Sequence, residues 1–347
     1  MLIRSFMLQD LPEVLHLYNQ ASLDGEVLLK PLDEDTFRRI FLSRPDMPDA
    51  MPVAVDETTG RVLGFAHYVT PLSFPDAPEG RAFLTTVMVD RQHRHTGVAS
   101  RLLDAVCSTL NARSLSVSSL NPVNLTWHIP GTPGHDHNNM PGLDRDCKAY
   151  GFFLKKGFQA VHSEMAMYMD LKTFAPDPGL EKLRDSLRLD GIETGIFAPP
   201  PAFPEFDGMC TRVGSPYWRA VLRTETKAWR DMAPNEDPRF WPDGRKPAGP
   251  RPLILALKDN QVVGFTGPVD LQESGRGWFT GICTDPLYQH RGIATVLFSL
   301  LMQAFREEGA AFTTLFTGTD NRAQRIYKAA GLRPVRTFDQ MVLDLSK

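Results

Sequence analysis

The sequence predicts an α/β fold built twice in tandem, and three observations carry that expectation. First, RHTGVASRLL at 94–103 nearly recurs as QHRGIATVLF at 289–298. Second, two other landmarks recur around it in the same order: Gly64 and Gly264 in strand-like runs upstream, Gly157 and Gly331 downstream. Third, each copy alternates short strand-like runs with apolar residues at helical spacing, which is the pattern of an α/β domain. A chain of 347 residues suits two domains. Ordered matches at three places indicate a duplicated domain rather than a chance motif.

Each copy reads as follows. MLIRSFMLQDLPEVLHLYNQ opens the chain as a strand and then a helix, and Asp10 interrupts it before any long apolar run, so no signal peptide is expected. VLGFAHYV and VVGFTGPV are strands after turn signals, Thr58-Thr59-Gly60 in one copy and Asp259-Asn260 in the other. FLTTVMVD and WFTGICTD form the next strand of each copy. The quoted stretches then open a helix, with Val98, Leu102, Ala105, Val106 and Leu110 on one apolar face, and Ile293, Val296, Leu297, Leu300, Leu301, Ala304 and Phe305 on the other copy's. A strand, a short helix and a final strand close each copy. Gly97 and Gly292 lie 195 positions apart but Gly157 and Gly331 only 174, so the first copy carries 21 extra residues, placed in the Pro/Gly/Asn-rich stretch 121–146. TFAPDPG marks a linker. The expected division is therefore 1–172, a linker at 173–179, and 180–347.

Composition narrows the function. A net charge of −3 and a pI near 6.3 give no basic balance for nucleic acid. Cys107, Cys147, Cys210 and Cys283 stand far apart, so neither a zinc site nor a disulfide framework is indicated, and a reducing cytoplasm is the simplest compartment. No run approaches the roughly 18 apolar residues of a membrane span.

The repeated stretch carries the chemistry. A strand, a turn and a glycine at the first turn of a helix make an anion site: the first helical N–H groups lack internal partners, and the macrodipole favours negative charge. A glycine there lets the backbone approach the anion closely. Arg94, and His290 with Arg291, add donors nearby.

The pattern (Gln/Arg)-x-x-Gly-x-(Gly/Ala), present as Arg94-x-x-Gly97-x-Ala99 and Gln289-x-x-Gly292-x-Ala294, resembles the acyl-CoA pyrophosphate loop of the GCN5-related N-acetyltransferases. DNRAQRIYKAAGL at 320–332 is similar to a later motif of that family through Asp320, Ala323, Tyr327 and Gly331, and the opening strand and helix also resemble it. The resemblance covers both halves. It implies two GNAT domains, each a mostly antiparallel mixed sheet that splays open between flanking helices. It implies acetyl-CoA as donor and direct attack of an amine on its thioester. The cofactor would contact Val87, Val89, Arg94, Thr96, Gly97, Val98 and Ala99 in copy one. In copy two the corresponding residues are Ile282, Cys283, Thr284, Gln289, His290, Arg291, Gly292, Ile293, Ala294 and Asp320.

Tyr327 matches the family's proton donor, whereas the first copy has Phe153 there, so copy two is expected to be the catalytic half. Tyr150 is a weaker substitute in copy one. Neither FLTTVMV nor WFTGICT holds the carboxylate that many family members carry on this strand. An alkyl ammonium of pKa ~10.4 costs about 4–5 kcal/mol to neutralise at pH 7, so a small polar amine of lower basicity is favoured over a protein lysine. Glu225 and Asp270 are candidates for water-mediated deprotonation, and Trp218 and Glu225 for acceptor contact. The 121–146 insert crowds His128, His135, Asp136, His137, Asn138 and Asn139 around Trp127. Adjacent residues seldom converge on one metal ion, so no metal is expected. A polar substrate wall or lid suits an amino sugar, an aminoglycoside-like amine or an amino acid, and a solvated loop is the plain alternative. His67 and His93 read as structural. The expected function is an acetyl-CoA-dependent N-acetyltransferase, a monomeric pseudo-dimer or a homodimer; the alternative is an acetyl-CoA-binding regulatory protein with degenerate sites.

Overall fold

The computed structural model describes residues 1–43, 50–70, 80–121, 123, 125–137, 140–197, 204–231 and 250–346. The chain runs β1 (Leu2–Ser5), α1 (Leu11–Leu23), α2 (Glu34–Phe37), β2 (Pro52–Val55), β3 (Val62–Val69), β4 (Arg81–Val89), α3 (Val98–Thr109), β5 (Ser114–Val117), β6 (Leu143–Asp144), α4 (Tyr150–Lys155) and β7 (Gln159–Asp170). It continues α5 (Leu180–Leu189), β8 (Glu193–Phe197), α6 (Asp207–Val213), α7 (Pro216–Asp231), β9 (Leu253–Lys258), β10 (Gln261–Thr266), β11 (Arg276–Trp278), β12 (Ile282–Thr284), α8 (Ile293–Glu307), β13 (Phe312–Gly318), α9 (Gln324–Ala329) and β14 (Arg333–Asp344).

Two compact units result, and they do not follow the expected boundary. One comprises Met1–Met165 with Arg336–Lys347, the other Ala166–Val335. The end of the chain thus returns to the first unit, where Met341–Asp344 pair antiparallel with Val117–Ser114 of β5. A strand's alternation shows which face it buries but not which neighbour it will find, so the exchange lies beyond sequence reasoning.

In the first unit the strand order is β1-β2-β3-β4-β5-β14, antiparallel except for β4 and β5. That parallel pair covers only Arg81↔Ser114 to Phe83↔Ser116. Beyond Phe83, β4 keeps its pairing with β3 down to Gly64↔Val89 but leaves β5, which opens the sheet as a splayed fold requires. Helix α3 packs on the sheet through Val98, Leu102, Leu103 and Val106, in a core with Leu63, Ala66, Leu115, Phe153, Phe158 and Met341. Each such buried side chain contributes about 1.5–3 kcal/mol.

The second unit repeats the plan with a difference. β8-β9-β10-β12 form an antiparallel sheet, and β11 pairs in parallel with β13, which neighbours β7. Asp259 and Asn260 both take positive φ, 50° and 58°, in the two-residue turn between β9 and β10, as the sequence signal required. The expected strand WFTGICTD is broken into β11 and β12 at 279–281. Gly281 has φ +128°, and a Cβ there would meet Trp218 Cη2 at 2.5 Å. The landmark glycines of β3 and β10 both stand where a side chain has no room. A Cβ on Gly64 would stand 2.7 Å from the Met88 carbonyl of β4 and 3.2 Å from Val98 of α3, and one on Gly264 2.7 Å from Ile293 of α8.

Candidate functional site

The two loops have the same backbone. β4 ends at Val89, the Asp90 carboxylate accepts the Gln92 amide at 2.8 Å, and His95 (φ +62°) and Gly97 (φ +91°) lead into α3. In the second unit Asp285 accepts the Leu287 amide at 3.1 Å, and His290 (φ +62°) and Gly292 (φ +83°) lead into α8. Left-handed residues just before a helix turn successive N–H groups toward one point, which with the helix terminus makes an anion cradle. What stands above the cradle differs. A Cβ on Gly97 would meet nothing within 4 Å, whereas one on Gly292 would meet Leu183 Cδ1 of α5 at 2.7 Å.

The gap between β4 and β5 in the first unit continues into a cleft of 590 Å³. Of the residues expected to hold the cofactor there, Val87, Val89, Arg94, Gly97, Val98 and Ala99 line it. Arg94 is committed to the protein: Nε donates to the Val89 carbonyl at 3.1 Å, and the guanidinium pairs with Glu26. The Thr96 hydroxyl donates to the His93 carbonyl at 2.6 Å. Arg91, His93, His95 and Lys148 also line the cleft, Arg91 and Lys148 as cations. The sequence reading took His93 as structural and passed over the other three, although Arg91 and His95 also lie within six residues of Gly97.

In the second unit Cys283 and Ile293 are buried, while Gln289, His290, Arg291 and Asp320 are exposed. Ile282, Cys283 and Thr284 pair with β10, and burial pushes the Cys283 thiol up to about 12. Arg291 reaches Asp190 at 3.1 Å, close to Gln289 and His290 at the loop. Ile293 is buried in the core beside Ala294, and Asp320 is exposed. Tyr327 is only 4% exposed, with Phe298 and Phe279 ring centroids at 5.0 and 5.7 Å, and burial pushes its hydroxyl up to about 12. Trp218 packs on Phe265 and fills the space beside Gly281. Glu225, 1% exposed, pairs with Arg251 at 2.5 Å, and Asp270 pairs with the same guanidinium at 3.0 Å. A carboxylate held this way is compensated charge, not an available base.

The insert folds onto the first unit. Trp127 is fully buried, stacked on His137 at 4.6 Å and edge-on to Phe338. His135 Nδ1 lies 2.8 Å from the Pro133 carbonyl, Asp136 pairs with Lys30 at 2.5 Å, and burial together with nearby Lys30 lowers the His128 pKa. His135 and His137 lie close, ring centroids 5.2 Å apart, but among the described residues no group of three His, Cys, Asp or Glu is arranged around a metal position. Asn138 and Asn139 lie outside the described residues. The insert does line a cleft, but through Met140, Leu143 and Asp144 rather than its histidines. That cleft, 120 Å³, shares Glu26, Val87, Met88 and Phe153 with the larger one. Tyr150 donates instead to Asp339, which raises its pKa.

A tandem α/β protein with an anion cradle at the same helix start in each copy is the class that fold and loops define. The chain belongs to the acetyltransferase (GNAT) family, whose model matches residues 12–125 and 218–332, one segment per copy. Similar solved structures include a GCN5-related glucosamine N-acetyltransferase region of a fungal multi-domain GH3 β-N-acetylglucosaminidase (16% identity, TM-score 0.60), covering 99% of this chain and 38% of that one. A GCN5-related N-acetyltransferase from Sphaerobacter thermophilus is similar over 99% of this chain and 95% of its own (14%, 0.54). A tandem GNAT protein from the clavulanic acid biosynthesis pathway is similar over 100% and 99% (13%, 0.54). At these identities the likeness concerns the fold alone. No curated protein matches the sequence significantly. No helix among the described residues is long and apolar enough to cross a membrane.

Proposed function

We propose that this chain is an acetyl-CoA-dependent N-acetyltransferase acting by direct transfer to a primary amine of a small molecule, with acetyl-CoA held by the first unit. One contrast carries the reading: open space above Gly97, Leu183 above Gly292. The first unit's residues fit the cofactor. The cradle at Gly97, with Arg91, His93 and His95, suits a pyrophosphate, and the unpaired edge of β4 at Val87 and Val89 suits an extended amide-bearing arm. Bound there, acetyl-CoA supplies the electrophilic thioester, and the chain's part is to hold donor and amine in one cleft.

The sequence expectation gave the chemistry to the second copy because of Tyr327. A tyrosine sealed between Phe279 and Phe298 is better read as core. Phe153 stands at the matching position and lines the first unit's cleft. A thiol of pKa about 8.5 leaves as thiolate without a dedicated donor far more easily than an alkoxide would. That same Phe153 favours the second reading, an acetyl-CoA-binding regulatory protein, which predicts binding with no thiol release for any amine.

Calorimetry with acetyl-CoA tests the assignment. A side chain forced into a left-handed position costs about 1–3 kcal/mol. Gly97→Val therefore weakens acetyl-CoA binding by roughly tenfold or more. Gly292→Val leaves affinity unchanged and lowers Tm by roughly 2–4 °C per kcal/mol lost. The reverse pattern would return the cofactor to the second unit. Thiol release against a panel of amines then separates transferase from regulator. Glucosamine belongs on that panel, since the fungal relative is described as a glucosamine N-acetyltransferase region; it also represents the polar amines the histidine-rich insert was expected to favour.

A further inference from the structure

The cleft of the first unit does not end at β4. The 120 Å³ cleft shares Leu29, Leu84, Thr85, Val117 and Met140 with a smaller space of 30 Å³. These adjoining spaces, together the channel, are lined in turn by the Gly97 loop, β4 and the insert. Its inner wall is largely aliphatic, and of the polar groups there the buried Thr86 hydroxyl is uncommitted among the described residues while others are engaged. Thr85 Oγ1 donates to the His67 carbonyl at 3.0 Å, Ser118 Oγ accepts the Leu120 amide at 3.3 Å, and Asn121 Oδ1 accepts the Val123 amide at 2.9 Å. A sugar carries several hydroxyls, and the Thr86 hydroxyl could partner one of them, so most would lose water in that recess without gaining partners, which is unfavourable.

Two carboxylates line the channel where it meets the cofactor strand, and they differ. Glu26 is paired with Arg94, which holds its carboxyl below the usual range, and Lys148 lies 3.9 Å away. Asp144, on β6, is 7% exposed; its Oδ1 accepts the Asp146 amide at 3.0 Å and stands 3.5 Å from Arg336 Nε. Arg336 is itself paired with Asp146. Among the described residues no hydrogen bond reaches Asp144 Oδ2.

Building on the reading of the first unit as the transferase site, we propose that its acceptor is a primary amine on a compact apolar chain or ring, the nitrogen received by Asp144 and the hydrocarbon by the recess between Leu29, Leu84, Val117 and Met140. An apolar cavity of roughly 150 Å³ admits a benzene ring, so the 120 Å³ here suits a group of somewhat smaller size. The step balances. An ammonium gives one proton to Asp144, which passes it to water. The amine nitrogen bonds the acetyl carbon, the carbon–sulfur bond breaks, and the second nitrogen proton leaves with the sulfur as thiol. Burial raises the Asp144 pKa against the lowering by the Asp146 amide and Arg336, which brings the carboxyl closer to the range where a base works at neutral pH. The titratable groups facing it are Arg336 on β14, Asp146 and Cys147 in the following turn, and Glu26 and Lys148 across the channel.

The test uses the full chain, acetyl-CoA, and a series from ethylamine to hexylamine with phenethylamine and glucosamine, read as thiol release. For the alkyl amines kcat/KM rises about three- to fourfold per methylene until the recess is full, and glucosamine falls below them. Asp144→Asn lowers kcat by about 100-fold or more and removes the ascending acid limb of the pH profile, while acetyl-CoA affinity by calorimetry stays the same; Asp144→Glu restores part of the rate. The wild-type amine series stands even if a variant does not fold. Faster turnover of glucosamine than of any alkyl amine, or full kcat in Asp144→Asn, overturns this inference and leaves the transferase reading intact. A rate that follows acyl length in acetyl-, butyryl- and hexanoyl-CoA but ignores the amine chain places an acyl group in the recess and also overturns it. Acetyl-CoA binding with no thiol release from any amine overturns both.

Discussion

Asp339 shows how a single residue sets the acid behaviour of the first unit. It is 1% exposed, and burial alone would raise its pKa. Arg145 donates to it at 2.7 and 2.8 Å, Ser163 at 2.6 Å, and Tyr150 also donates, and together they hold it at about 2. The folded pKa is depressed, so the stabilisation is complete above the unfolded value near ~3.9 and is lost as pH falls toward 2. Its size is at most about 2.5 kcal/mol, and less because Arg145 is half-exposed. Urea denaturation from pH 5 to 2 should show that loss in the wild type, and Asp339→Asn, less stable at pH 7, should flatten it; a parallel pair of curves would deny Asp339 the role. Tyr327 makes the opposite kind of point. Because it packs against Phe279 and Phe298, Tyr327→Phe should change kcat by less than about twofold, well short of the 10²–10⁴ attributed to a general acid. A hundredfold loss would restore the second unit as the catalytic one.

At the scale of elements, the strand–loop–helix unit was fully legible. Positive φ at Gly97 and Gly292, the helices behind them and the hairpin turn at Asp259–Asn260 all follow from local signals. The insert was legible only as a feature. Its histidines drew attention, but of these His137 stacks on Trp127, while the insert's aliphatic residues and Asp144 line the cleft. The missed signal was the alternation of Val123, Leu125 and Trp127, which marks a buried face rather than a solvated loop. The Gly97→Val and Gly292→Val pair belongs to this scale, since the two loops share a backbone and differ only in what α5 lays over one of them.

For the whole molecule, the decisive feature is that the last strand of the chain completes the first unit. Met341 sits in that unit's core, and β14 pairs with both β5 and β6, the strand that carries Asp144. Deleting 336–347 should therefore unfold the first unit and abolish acetyl-CoA binding, and a fragment 1–172 should fail to bind it as well. Normal binding by that fragment would show the first copy to be self-sufficient, as the sequence division had implied.

By itself the sequence determined the duplication, the α/β class, the two strand–glycine–helix loops and the family, because each is written in local spacing: glycines that set φ, apolar periods that set helix and strand, and short motifs in a repeated order. Only the tertiary structure decided which loop is open, which sheet takes the final strand, and which insert residues face the cleft. Those outcomes depend on atoms far apart in the chain meeting in one place, as Leu183 meets Gly292 and β14 meets β5, and no local pattern encodes such a meeting.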